Sequence, residues 1–286
     1  MFIRYLDVEN RIKSPLYYRF VDILKKYIHH ISASQFLDAT DEFTLVVPDA
    51  MTELVINLGG PYFRQCASRG SAIEIKGSHF IGFKTKNCFV KTNMSMKAYS
   101  VRFLPGAIKH FTKFPLSESI NEIFDASLIF GTGIKELEDK LFFCRDNHLA
   151  KHHIEDFLMN RFLLVAEQNK SLEKLQLLYK NQISGENSKL KDLGFNYKSM
   201  ERVFLSDIGI TPKMMMSIIQ FNHATKLMNQ AEDNILLTQI AYQSGYYDQA
   251  HFIRSFQKFS GNSPSQYLKL KNNMITFNQE VINSQF

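Results

Sequence analysis

The sequence predicts an α+β fold with a β-rich N-terminal part and an all-helical C-terminal part. Three observations support this prediction. Between residues 43 and 104, apolar side chains recur with period two and are interrupted by turn residues. After residue 133 the apolar period becomes that of an α-helix. The chain has 286 residues, which is long enough for two domains of ordinary size.

The composition is that of a globular chain, with 45% hydrophobic and 22% charged residues, and it excludes collagen, a coiled coil and wholesale disorder. No apolar run reaches the ~18 residues of a membrane span, and the N-terminus lacks a signal-peptide pattern. We therefore expect a cytoplasmic protein with no membrane partner. The net charge of +6 is compatible with a polyanionic partner, but its basic excess is divided equally between residues 1–170 and 171–286.

The N-terminal part contains five short segments that are typical of strands. Each is apolar or alternating, and turn residues such as Gly59-Gly60-Pro61 and Pro105-Gly106 end two of them. Period two with this punctuation predicts an antiparallel sandwich or a small barrel. The predicted strands are Phe43–Val47, Met51–Leu58, His79–Phe83, Cys88–Val90 and Ala98–Leu104.

Helical spacing follows this region. Ile134, Leu137 and Leu141 share one helical face, and a second helix is predicted from about residue 153 to 165. From there to Leu270 the sequence indicates helices and short turns only, so the two parts meet near residues 145–170. We predict an N-terminal domain with linking helices over residues 1–168, a helical domain over 169–272 and a tail over 273–286.

The C-terminal part contains the same unit twice, in Leu190–Lys226 and in Leu237–Leu270. Each unit reads as a short helix, a glycine, an N-cap residue, a second helix, another glycine and a Ser/Thr-Pro start of a third helix. The N-cap residues are Asn196 and Asp248, and Pro212 and Pro264 begin the third helices. A helix, a tight turn and a polar-faced helix form the helix-turn-helix pattern.

A helix-turn-helix unit has the shape needed to bind double-stranded DNA. The second helix of such a unit fits the major groove and presents its first turns to the base edges. Arginine hydrogen-bonds guanine in bidentate fashion, and glutamine or asparagine does so with adenine. Two units in one chain would contact successive major grooves, about 34 Å apart on one face of the DNA.

Ile240–Tyr267 resembles the signature segment of AraC/XylS-type transcription regulators, with Ile-Ala, the glycine, the cap, Phe-x-Arg-x-Phe and Gly-x-Ser-Pro at the spacing of that family. MERVFLSDIGITPK resembles the first unit of the family, although Lys189 and Leu190 stand where the family has Leu and Ala. PDAMTELVINLGG and YSVRFLPGAIKHFTKFPLSES resemble the sensor domain of one branch. The resemblance implies a cupin-like (jelly-roll or barrel) N-terminal domain with flanking helices and a tandem helix-turn-helix domain.

The resemblance also implies which side chains contact DNA. The base-facing positions of the family fall on three residues of the first recognition helix and on five in the second. Two further residues, at the starts of the following helices, correspond to phosphate contacts. The implied base contacts are Lys198, Glu201, Arg202, Gln249, Ala250, His251, Ile253 and Arg254, and the implied phosphate contacts are Lys213 and Ser263.

The function implied is sequence-specific DNA binding for transcription regulation, with double-stranded DNA as partner. RNA polymerase, a small-molecule effector in the N-terminal domain and a second copy of the chain are further partners that the resemblance suggests. We expect no cofactor and no enzyme activity, because the hydrolase, metalloprotease, phosphate-loop and dinucleotide motifs are absent from the sequence. A small-molecule-binding enzyme and a protein-interaction module with a helical domain remain the alternatives.

Several residues also have plain structural interpretations. Arg202 and Arg254 are alternatively ion-pair partners within the helical domain. We expect His29-His30 and His152-His153 to lie on solvated helix surfaces and the three cysteines, Cys66, Cys88 and Cys144, to be inert buried thiols. The β-rich part contains His79 but no His-x-His cluster, so no metal site is predicted.

Overall fold

A computed structural model describes residues 22–36, 43–66, 71–92, 96–162, 197–230 and 236–270, with four single positions between 173 and 179. The strands and short helices up to residue 162 are called the β-rich domain here, and residues 197–270 are called the helical domain. No helix among the described residues is long and apolar enough to cross a membrane.

The β-rich domain is a sandwich of two sheets in which neighbouring strands pair antiparallel. One sheet has the order β1-β8-β3-β6-β9 and the other the order β2-β7-β4-β5. This arrangement confirms the predicted antiparallel sandwich. The strands are β1 Ile28–Phe36, β2 Thr44–Val46, β3 Thr52–Asn57, β4 Tyr62–Cys66, β5 Ile73–Ile75, β6 His79–Ile81, β7 Cys88–Thr92, β8 Met96–Phe103 and β9 Ile123–Asp125.

Helices complete both domains. The β-rich domain ends in α1 Ala126–Phe130, α2 Gly133–Phe142 and α3 Asn147–Arg161, after two 3-10 turns at Ala107–His110 and Leu116–Ser119. The buried face of α2 carries the predicted Ile134, Leu137 and Leu141. The helical domain consists of α4 Tyr197–Asp207, α5 Pro212–Gln230, α6 Leu237–Gln243, α7 Gln249–Ser260 and α8 Pro264–Leu270.

The helix predicted from about residue 153 in fact begins at Asn147. Asp146 is its N-cap, and its carboxylate accepts a hydrogen bond from the His148 N–H at 2.9 Å. The predicted strands correspond to β2, β3, β6, β7 and β8, whereas β1, β4, β5 and β9 were not predicted. In β4 the alternation of apolar and polar residues is obscured because a buried arginine, Arg64, occupies an inward position.

Charged side chains occupy the space between the two sheets. Arg102 Nη1 lies 3.1 Å from the Asp49 carboxylate, and Lys84 Nζ also lies 3.1 Å from it. Arg102 Nε lies 3.7 Å from Glu53, and all four residues are buried. Burial alone would raise the pKa of Asp49 and Glu53, but the charges of Lys84 and Arg102 outweigh it and hold both below their usual values. Beside this cluster is a cavity of about 50 Å³.

The expectations about the paired histidines were wrong in two respects, although His29 is exposed as expected. His29 and His30 lie on strand β1 rather than on a helix, and their Nδ1 atoms are 2.6 Å apart. His152 is buried in α3, with its Nε2 3.6 Å from Asp156, so it is not a solvated residue. In both pairs the expectation came from two adjacent histidines in the sequence. Such a pair reveals neither the secondary structure nor the tertiary contacts that decide burial.

The cysteine prediction also needs correction. Cys88 and Cys144 are buried, as expected, and none of the three cysteines is in a disulfide. Cys66, however, is only half-buried. It also pairs with Cys88 across β4 and β7, a neighbourhood that the distance along the sequence does not reveal.

Aromatic side chains form the core of the helical domain. Phe221 of α5 lies between Phe256 and Phe259 of α7, with ring centroids 5.1 and 5.4 Å apart. Met200 and Phe204 of α4 are also buried, as the helical period predicted. The boundary predicted between residues 168 and 169 and the tail over 273–286 lie outside the described residues, so the predicted domain limits stay predictions.

Candidate nucleic-acid interface

The second helix-turn-helix unit has a tightly held turn between α6 and α7. Gly245 adopts a left-handed φ of 79°, and its carbonyl accepts a hydrogen bond from the Gln220 side chain at 2.9 Å. Burial raises the pKa of Tyr246 to about 12, so its hydroxyl keeps its proton and donates a hydrogen bond to the Ser255 hydroxyl at 3.3 Å. These contacts hold α7 at a defined angle to α6.

The start of α7 is capped as predicted. Asp248 lies in an extended conformation, and its carboxylate accepts a hydrogen bond from the His251 N–H at 2.6 Å. The cap satisfies an N–H that has no partner within the helix, and its negative charge complements the helix dipole. The N-terminal turns of α7 are therefore well ordered at the surface.

The outward face of α7 carries the side chains that the family resemblance implied. Its inward face consists of Phe252, Phe256 and Phe259, which are fully buried. Among the described residues, Arg254 forms no ion pair with a carboxylate. The alternative that Arg254 is an ion-pair partner within the helical domain therefore has no observed contact in its support. Four implied base contacts are exposed and one is half-buried: Gln249, Ala250, His251 and Arg254, and then Ile253.

Helix α4 presents a corresponding face in the first unit. Lys198 and Arg202 are exposed and Glu201 is half-buried, while Met200 and Phe204 point into the core. Within the described part of the chain, Arg202 also lacks an ion-pair partner. The predicted cap Asn196 and the preceding helix with Lys189 and Leu190 lie outside the described residues.

The two implied phosphate contacts lie at helix starts. Lys213 is exposed in the first turn of α5, two residues after Thr211, whose hydroxyl accepts a hydrogen bond from the Met214 N–H at 3.2 Å. Ser263 and Gln266 form a reciprocal capping box, with N–H to side-chain distances of 2.9 and 3.3 Å. The hydroxyl of Ser263 is therefore already a hydrogen-bond acceptor in the cap of α8.

Sequence reasoning did not single out three exposed tyrosines of the helical domain. Tyr197 begins α4, Tyr242 lies on α6, and Tyr247 immediately precedes the cap of α7 with 87% of its surface exposed. Exposed large aromatic residues beside a binding face are unusual in a monomer surface and common at interfaces. The signal was available in Tyr246-Tyr247, where only the first tyrosine is needed for the core.

The β-rich domain contacts the C-terminal end of α4. Lys109 forms an ion pair with Asp207, which is buried although Lys109 is half-exposed. Just beyond the helix, Gly209 has a φ of 88°, and a Cβ placed on it would lie 2.6 Å from the Ser117 Cα. The residues just after α4 therefore pack closely against the 3-10 turn that contains Ser117.

The β-rich domain also contacts the C-terminal end of α7. The side-chain amide of Asn87 donates a hydrogen bond to the Ser260 carbonyl at 3.0 Å. Gly261 ends the helix with a φ of 76°, and a Cβ there would lie 2.8 Å from the Asn87 Nδ2 atom. Both recognition helices therefore have their C-terminal ends against the β-rich domain and their N-terminal turns directed elsewhere.

Within the described ranges, no group of three or more His, Cys, Asp or Glu side chains is arranged to hold a metal ion. The ring of His79, for example, contacts the Tyr62 hydroxyl at 2.8 Å and the Gly77 carbonyl at 2.9 Å. Burial lowers the pKa of His79 to about 4, so the ring is neutral near pH 7. It has the contacts of a core histidine.

Comparisons with known proteins give family matches in both parts of the chain. Residues 190–270 match the family described as a helix-turn-helix domain. Residues 22–125 match a family described as a domain of unknown function. An uncharacterized HTH-type transcriptional regulator of Haemophilus influenzae is 28% identical over 140 residues, which are 48% of this chain. The match spans 46% of that relative, about half of its length.

Solved structures of ToxT from Vibrio cholerae also match this chain, at low identity. One is 14% identical, covers 84% of this chain and 98% of its own, and gives a TM-score of 0.46. A second, of unsaturated fatty acid bound wild-type ToxT, is 14% identical, covers 85% and 95% of the two chains, and gives a TM-score of 0.45.

Proposed function

We propose that this chain, which has the helix-turn-helix domain of an AraC-type regulator, is a sequence-specific DNA-binding regulator of transcription. The observation that carries the proposal is the pair of recognition helices α4 and α7. Each has a buried apolar face and a surface face that carries an arginine in no ion pair among the described residues. Such a face is suited to base edges in the major groove.

For the second unit, we infer that α7 enters one major groove by its N-terminal turns. Arg254 has the two parallel donors that match guanine, and Gln249 has the donor and acceptor that match adenine. Ala250 and Ile253 offer apolar surface to a thymine methyl group, and His251 lies between them on the exposed side. The Asp248 cap keeps this turn ordered without DNA.

For the first unit, α4 would enter the adjacent groove. Lys198 and Arg202 are suited to guanine, and the carboxylate of Glu201 is suited to the amino group of cytosine. Lys213 at the start of α5 would contact a phosphate by its charge. The Ser263 hydroxyl oxygen accepts the cap hydrogen bond, and its O–H would donate to a phosphate oxygen.

The remaining parts of the proposal concern regulation. A regulator of this kind acts where the chromosomal DNA is, in the cytoplasm, and RNA polymerase is its expected protein partner. The β-rich domain would take a small-molecule effector or a second copy of the chain and bias the arrangement of the two recognition helices. Such a bias is worth only a few kcal/mol.

The experiment is a selection of bound sequences from random duplex DNA with the full chain. We expect one extended site with two half-sites about one helical turn apart. Affinity for that site should fall steeply with salt. Each neutralised phosphate steepens the plot of log binding constant against log salt concentration by nearly one unit of slope. As a control, Lys140→Ala removes an exposed charge on α2, away from the recognition helices, and should leave the site and the slope unchanged.

The same selection separates the alternatives. A protein-interaction module would return no enriched sequence. A small-molecule-binding enzyme would also return none and would instead consume a metabolite in the absence of DNA.

A further inference from the structure

Two cysteines face each other between neighbouring strands of the β-rich domain. Cys66 ends β4, Cys88 begins β7, and the antiparallel register pairs them directly. Directly opposed residues have Cα atoms roughly 4.5–5.5 Å apart, which lies within the range that a disulfide spans. Their side chains are also hydrogen-bonded to each other. The two sulfurs are therefore close enough to join with only a small shift of the strands.

The surroundings differ between the two sulfurs. The Arg64 side chain, two residues before Cys66 on the same strand face, hydrogen-bonds Cys66. A guanidinium next to a sulfur stabilises the negative charge of a thiolate. The hydrogen bond to Cys66 and burial both raise the pKa of Cys88 well above its usual range. The charge of Arg64 acts on both sulfurs, but its hydrogen bond is to Cys66, and Cys66 is the less buried residue of the two.

Arg64 has no carboxylate partner among the described residues. The nearby acids Asp49 and Glu53 are paired with Lys84 and Arg102. Arg64 is only 4% exposed, and its Nε has no hydrogen-bond partner in the described part of the chain. A buried cation without an anion is costly, so a thiolate at Cys66 stabilises Arg64 as much as Arg64 stabilises the thiolate.

We propose that Cys66 and Cys88 form a peroxide-sensitive thiol pair that oxidises to an intramolecular disulfide. The Cys66 thiolate attacks the terminal oxygen of a hydroperoxide, the O–O bond breaks, and the sulfur becomes a sulfenic acid, while the other oxygen leaves as hydroxide or alkoxide and takes a proton from solvent. The Cys88 sulfur then attacks the Cys66 sulfur, and the hydroxyl group leaves as water with the Cys88 proton. The two thiols lose two electrons in total, and the peroxide gains them.

The pair is linked to the second recognition helix through one residue. Asn87 immediately precedes Cys88, and its amide holds the Ser260 carbonyl at the end of α7. Disulfide formation draws Cys88 toward β4, so the hydrogen bond of Asn87 weakens and α7 is held less firmly relative to α4. Resting on the proposed function, we expect the oxidised protein to bind its DNA site more weakly, by about fivefold or more.

The first test counts thiols in the full chain after brief treatment with hydrogen peroxide, alkylation in denaturant and mass spectrometry. We expect two of the three cysteines to be lost as one Cys66–Cys88 peptide pair, and Cys144 to remain alkylated. A reductant should restore all three. Retention of three thiols, or preferential loss of Cys144, would overturn the proposal.

Substitutions distinguish a loss of the thiol chemistry from a loss of the folded structure. Cys144→Ser should oxidise like the parent, whereas Cys66→Ser and Cys88→Ser should form no intramolecular disulfide. Because Cys88 is buried, Cys88→Ala is a second choice if the serine disturbs the fold by circular dichroism. Arg64→Lys keeps the charge and should react faster than Arg64→Met, and equal rates would refute the role of the cation.

The second test measures affinity for the selected DNA site. Oxidised parent should bind more weakly than reduced parent, a reductant should reverse the loss, and Cys66→Ser should not respond to peroxide. Equal affinities of the two forms would refute the link through Asn87. If neither form binds DNA, the proposed function is wrong, while the thiol count still decides whether the pair is redox-active.

Discussion

The two recognition helices have similar faces but are held differently at their C-terminal ends. Helix α4 ends in an ion pair between Asp207 and Lys109 of the β-rich domain. Helix α7 ends in a hydrogen bond from Asn87 to the Ser260 carbonyl. Neither of these two contacts involves an implied base-contacting residue. The comparison teaches that the described contacts with the β-rich domain hold the C-terminal ends of both helices, away from the N-terminal turns for which base contacts are proposed.

The largest expected effect concerns the turn before α7. Gly245→Val places a β-branched residue at a φ of 79°, which such residues strongly avoid, and we expect the second unit to lose about 3 kcal/mol of stability. DNA protection should then shrink to the half-site of α4. Gly245→Asn is the matched control because asparagine tolerates this conformation. An unchanged melting curve for the valine variant would refute the assigned turn.

The next effect compares the two arginines. Arg254→Ala should weaken binding to the selected site by about 1–3 kcal/mol and relax the preference at one base pair. Arg202→Ala should do the same in the other half-site. Competition binding against single-base variants of the site measures both. An arginine whose removal leaves affinity and preference unaltered has a structural role.

A smaller effect concerns the cap of α7. Asp248→Ala removes the acceptor for the His251 N–H and should lower the free energy of unfolding by about 1 kcal/mol. Asp248→Asn retains an acceptor and should lose less. Denaturant titration measures the difference. If alanine and asparagine behave alike, the helix dipole rather than the hydrogen bond stabilises this turn.

The smallest effect concerns the ion pair at the end of α4. Lys109 is half-exposed, so solvent screens the pair, and Lys109→Ala should cost only about 0.5 kcal/mol of stability. The loss should shrink further in high salt, which screens exposed charges. Lys113→Ala, an exposed lysine in the same segment, is the control. A loss of several kcal/mol for Lys109→Ala would mean that Asp207 is left as an unpaired buried charge.

Local patterns predicted the helical domain well. The cap at Asp248, the glycine turn at Gly245 and the Thr211-Pro212 helix start depend on neighbouring residues, and the structure contains each of them. The buried phenylalanines of α7 follow equally from helical period. The structure supplies surface positions for the implied DNA contacts, but the contacts themselves stay predictions.

The β-rich domain was harder to predict because its interior is partly polar. Strand β4 was missed since Arg64 occupies a core position, and His152 was misassigned because its burial depends on tertiary packing. The pairing of Cys66 with Cys88 requires the strand register. The hydrogen bond from Asn87 to Ser260 joins residues 173 positions apart, and no local pattern indicates it.

Helix α5 follows the first recognition helix and packs against the second. Its 19 residues give a rod of about 28 Å. Because a helix of this length is stiff, we predict that the proposed DNA site has a fixed spacing between its half-sites. Inserting one base pair between the half-sites would displace one of them along the duplex and rotate it around the axis, and the cost of the mismatch would fall on the DNA, which must twist or bend to keep both contacts.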